Sequence, residues 1–149
     1  MIRILSVLRI VALAVFFGGG AAIALIVAPV VFKTLAPDRQ AAGAVVGAAL
    51  HTFEFVSVGA LIVALGASLA LRKLKQPSAL CDASLALLLV ATIYLAASVA
   101  PSLREARPQG TGAGTDFDRL HKLYEKVFGV ELLVALTALV AASAPRKTS

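Results

Sequence analysis

The chain has 149 residues, 60% of them hydrophobic and only 15% charged, whereas a soluble domain carries about 25% charged residues. A chain this apolar, with mean hydropathy +0.93, cannot cover a water-facing surface, and its length suits a single domain. The net charge is +6, but the basic residues lie between apolar runs without the aromatic interleaving of a single-strand binder, which points to lipid headgroups and away from nucleic acid.

The first apolar run extends from Ile10 to Phe32 behind Arg3 and Arg9. It exceeds the ~7–15 residues of a signal-peptide core and suffices to cross roughly 30 Å of hydrocarbon. Gly18, Gly19 and Gly20 lie near its middle, and Gly20 with Ala24 and Ala28 forms a small-residue stripe for close helix packing. Pro29 is expected to kink or end the helix. After a polar turn holding Pro37 and Asp38, the second run covers Ala41 to Leu71 and is long enough to tilt or project. Gly43 and Gly47 form a GxxxG. With His51 and Glu54 they are expected to share one helical face, small and then polar, directed into the bundle.

Arg72, Lys73, Lys75 and Pro77 mark a basic turn. The lone cysteine, Cys81, excludes an intrachain disulfide and reads as a small apolar filler beside Asp82. The third run spans Ala83 to Ala100, and Pro101 to Thr115 reads as a loop. Its Gly110 to Gly114 stretch follows no strand and reads as linker, not as a nucleotide loop. The last helix is expected to start at an Asp116 N-cap, with its span over about 119–144 and with His121, Tyr124, Phe128 and Glu131 on one face.

The expected fold is therefore an all-α membrane protein, a four-transmembrane-helix bundle with spans near 10–32, 41–71, 83–100 and 119–144. Two related hairpins are a further expectation: Val27-Ala28-Pro29 answers Val99-Ala100-Pro101, and His51 with Gly59 answers His121 with Gly129. Such a duplication would be a parallel repeat about an axis along the membrane normal. The short, densely basic segments around Arg72–Lys75 and Arg146–Lys147 place both termini on the cytoplasmic side of a plasma or inner membrane.

Ala28-Pro29-Val30-Val31-Phe32-Lys33, Ala42-Gly43, Gly47 and Arg119-Leu120-His121-Lys122-Leu123 resemble the bacterial membrane family called domain of unknown function 4149, over roughly Ile10 to Val140. The resemblance implies a compact four-helix membrane domain. It also implies kinship with transmembrane protein 205 and, distantly, with copper-resistance D-type domains and a haem-binding membrane oxidase. Tyr124 departs from the family pattern, which has a small polar residue there.

Ionisable groups in an apolar run are costly and usually face a bundle interior. Three functions follow from them. His51, Glu54, His121 and Glu125 form a donor set suited to a transition metal or cation, with Glu131 as a proton or ion relay. His51 and His121 at similar depth could ligate a b-type haem. Otherwise the groups are interhelical ties in a scaffold or accessory membrane subunit. No nucleophile arrangement points to an enzyme. Gly20, Gly43 and Gly47 are the expected packing positions, and the glycines of the first two runs the expected contact of a homodimer or larger membrane complex.

Overall fold

A computed structural model describes residues 1–144, so Arg146 and Lys147 lie outside the described residues. Four long helices make up most of the described residues: α1, Ile2–Thr34; α2, Arg39–Lys73; α3, Ala79–Ala106; and α4, Asp116–Ser143. Each is long and apolar enough to cross a membrane, and no strand occurs among the described residues. At about 1.5 Å per residue all exceed the roughly 30 Å hydrocarbon layer, so each projects beyond it. The helices α1 and α3 both extend beyond each end of their apolar runs.

The prolines explain the largest differences from expectation. Pro29 does not end α1, and Pro101 does not end α3. Five residues before each proline form a π turn, Ile23–Val27 in α1 and Leu95–Val99 in α3. The amide of Ala28 bonds to the Ile23 carbonyl, and that of Ala100 to the Leu95 carbonyl. A proline supplies no N–H and crowds the carbonyl four residues back; the wider turn makes room for the ring and lets the helix run on. The segment expected as loop from Pro101 is thus helical to Ala106, with a 3-10 turn at Arg107–Gln109. The same device at both Ala-Pro sites accompanies the sequence correspondence of the two hairpins.

Side chains set the remaining boundaries. Asp38 caps α2 by accepting from the Ala41 amide at 2.8 Å. Thr115, not Asp116, caps α4: its hydroxyl accepts from the Asp118 amide at 3.2 Å, while the Asp118 carboxylate accepts from the Gly114 amide at 3.0 Å. This reciprocal arrangement satisfies amides that the helix itself cannot. Gly114 has φ +82°, a left-handed conformation that favours glycine.

The packing follows chain order, α1 against α2, α2 against α3, α3 against α4 and α4 back against α1. α1/α3 and α2/α4 are therefore the diagonals. One end of the bundle, here the terminal end, carries the start of α1 and the α2–α3 turn. The distal end carries the α1–α2 turn and the α3–α4 loop. Leu13, Phe16, Leu61, Leu85, Leu88 and Ala135 anchor an apolar core in the terminal half, and Leu95, Val99 and Tyr124 a smaller one in the distal half. Lipid removes most of the hydrophobic drive between such helices, so close packing and interhelical hydrogen bonds hold them.

Candidate functional site

Two layers of buried polar side chains interrupt this packing. In the distal layer, Glu54 belongs to the inward series of α2 that continues through Ser57, Leu61 and Ala64. It is 8% exposed. The Tyr124 hydroxyl of α4 donates to its Oε1 at 3.3 Å, a bond that crosses the bundle diagonal. His51 Nδ1 lies 3.2 Å from its Oε2. On the α3 side, the Thr92 hydroxyl donates to Oε1 of Glu131 at 2.8 Å, and Glu131 is almost wholly buried.

His51 touches Glu54 but is not directed into the bundle with it as expected. Three residues is just under a turn, enough to leave the His51 side chain half exposed at the flank, against the edge of the Phe55 ring. His121 is likewise half exposed, stacked on Phe117 and 3.2 Å from Glu125. The expected four-residue donor set is thus two separate His/Glu pairs. Among the described residues no group of three or more His, Cys, Asp and Glu gathers closely enough to hold a metal ion.

The GxxxG also serves differently from expectation. The Arg107 guanidinium sits over Gly43 and Gly47 and donates to the Gly43 carbonyl at 3.0 Å. It also lies over the Phe117 ring, 5.6 Å from its centroid, a cation–π contact. The small residues admit a side chain that ties the distal ends of α2, α3 and α4. At Gly20 a Cβ would lie 2.8 Å from Leu132 Cδ2 and 3.2 Å from Phe128 Cζ of α4. Gly19 is covered by the Phe53 ring.

The terminal layer was not among the expected sites. Arg9 is 1% exposed and donates to the Ser68 hydroxyl at 3.2 Å. Ser68 in turn donates to Asp82 Oδ1, and Arg72 Nε lies 3.5 Å from Asp82 Oδ2. In the sequence Arg9 looks like a flanking charge. The signal that could have found it is Asp82, an acid at the head of the third run and at the same bundle end as Arg9 and Ser68.

The two layers are not connected. Leu61 and Ala64 lie between them on α2, Leu85 and Leu88 on α3, Ala135 and Ala138 on α4, all buried in one apolar core. Chemically, the distal layer can exchange a proton between the surface at His51 and the interior at Glu54 and Tyr124, but the hydrogen-bonded groups stop at that core.

A four-helix integral membrane bundle, closed by paired polar groups, is the class that this fold and site define. The chain belongs to the family described as a domain of unknown function, DUF4149, whose model matches residues 11–111. That match takes in Glu54, Asp82 and Thr92 but ends before α4, short of the stretch to Val140 expected from the resemblance. No curated protein and no solved structure matches the chain.

Proposed function

We propose that the protein is a scaffold or accessory subunit of a membrane complex, in which the distal layer fixes the register of the four helices. The observation that carries this reading is that Glu54 and Glu131 are each held by a donor from another helix, while an apolar core closes the bundle beneath them. Buried, satisfied polar networks of this kind specify one packing over its alternatives. The subunit sits in the plasma or inner membrane with both termini cytoplasmic, since Arg72, Lys73 and Lys75 abut the terminal end of α2. It acts there as a homodimer or within a larger assembly. Proteoliposomes holding the purified chain test the reading: proton and monovalent-cation flux should equal that of empty liposomes. Flux that Glu131→Gln abolishes would overturn it in favour of a relay.

The relay is the second reading, and the His51–Glu54–Tyr124 chain from surface to interior favours it. Metal or haem binding rests on the two histidines, each beside a carboxylate. Elemental analysis with an absorption spectrum of the purified protein decides it. Bound metal lost in His51→Ala, or a haem Soret band, would replace the scaffold reading.

A further inference from the structure

The seam between α3 and α4 carries two kinds of surface. Within the hydrocarbon depth, Leu87, Leu88 and Ala91 of α3 face Val127, Val130 and Val134 of α4 across an open groove of about 220 Å³. That exceeds the ~150 Å³ of a dry cavity able to take a benzene ring. Glu131 contributes to its wall, but its Oε1 is bonded to Thr92 on the other side. Lys126 stands at the distal rim. Farther along the same seam, toward the distal end, lies a polar basin of about 440 Å³ lined by Ser102, Glu105, Asp116 and Arg119.

The charges follow an order. Moving outward along α4 there is an apolar slot, then Lys126, then Arg119 two turns on at about 10 Å, then Asp116 within the next turn. The Arg119–Asp116 pair is loose, 3.9 Å with both side chains about three-quarters exposed, and an exposed pair of this kind contributes little. A ligand with an apolar chain, an anionic phosphate next to it and a cation beyond matches that order. Lys126 can extend outward to the phosphate while its stem lines the slot.

We propose that the α3–α4 seam is a binding site for a zwitterionic aminophospholipid. One acyl chain lies in the slot, the phosphate is held by Lys126 and Arg119, and the primary ammonium meets Asp116. An anionic lipid with a neutral polyol head would satisfy the two cations but leave Asp116 beside an uncharged head. Charge order thus selects the amine.

The test uses the purified full chain in micelles containing equal amounts of phosphatidylethanolamine and phosphatidylglycerol, with retained lipid read by native mass spectrometry. Phosphatidylethanolamine should be retained at least fivefold over phosphatidylglycerol. Asp116→Asn should bring that ratio near one. Lys126→Gln with Arg119→Gln should lower retention of both lipids at least fivefold, and Val130→Trp should do the same by filling the slot. Val130 is 57% exposed, so the tryptophan does not disturb the core, and helix content by circular dichroism checks the fold of each variant. Equal retention of the two lipids, preference for phosphatidylglycerol, or a Val130→Trp chain that keeps its lipid would each overturn the proposal.

Discussion

The two polar layers solve the same problem with opposite chemistry. The terminal layer joins formal charges, with Ser68 bridging Arg9 to Asp82 and Arg72 pairing with Asp82 from the exposed side, and links α1, α2 and α3. The distal layer relies on hydroxyl donors, Tyr124 and Thr92, to hold the carboxyl groups of Glu54 and Glu131, and it ties α4 to α2 and α3. The difference follows from position. Arg9 and Asp82 lie close to the ends of their helices, where headgroups and water are near and an ion pair is tolerable. Glu54 and Glu131 lie farther in, where a hydroxyl donor satisfies a carboxyl group without adding a second buried charge. The comparison teaches that burial alone does not mark function, since both layers are buried and each is tied across helices by side-chain hydrogen bonds.

Substitutions can break this comparison, and the largest effect is expected in the terminal layer. Asp82→Ala removes the carboxylate that Ser68 links to Arg9 and leaves that buried guanidinium in a network without an anion, a situation that costs about 3–5 kcal/mol. Thermal unfolding in detergent should show it, and Arg9→Met in the same chain should restore most of the loss. If Asp82→Ala alone melts like the wild type, the charged layer is not a structural tie. Next comes Thr92→Val, which strips the donor from Glu131 and should cost about 1–3 kcal/mol; adding Glu131→Gln should recover part of it.

A smaller effect is expected at the diagonal bond. Interhelical hydrogen bonds in membranes average about 0.6 kcal/mol in double-mutant cycles, so Tyr124→Phe and Glu54→Ala, each of which removes the bond, should couple by an amount of that order. Zero coupling would mean that the diagonal contact positions nothing. The smallest belongs to His121→Ala. An exposed i, i+4 pair with Glu125 contributes less than about 0.5 kcal/mol, so the melting curve should barely move. A loss as large as that of Asp82→Ala would show that this histidine bears structural weight that its exposure conceals.

Much of the architecture was legible in the residues. Four long apolar runs without a place to hide from water leave helices in a membrane as the solution, because every backbone group must bond within its own segment. Glu54 and Glu131 stood out for the cost of burying them, and both are interior. The histidines stood out for the same reason, yet they lie at the flank, because a shift of three residues along a helix rotates a side chain partly off the buried face. Arg9 escaped notice because a basic residue beside an apolar run usually marks its end; here the helix starts seven residues earlier and carries Arg9 into the bundle. Pro29 and Pro101 read as stops, and a π turn absorbs each.

What the sequence by itself determined is the solvent, the number of helices and the set of groups too costly to leave unpaired. These are local quantities, summed over runs of apolar residues. Which group meets which was decided only by the tertiary structure. The Tyr124–Glu54 bond spans 70 positions, Arg9–Ser68 59, and the seating of Arg107 on Gly43 64. Partners so far apart in the chain are set by the rotation of each helix against its neighbours, and no periodicity within one run encodes that rotation.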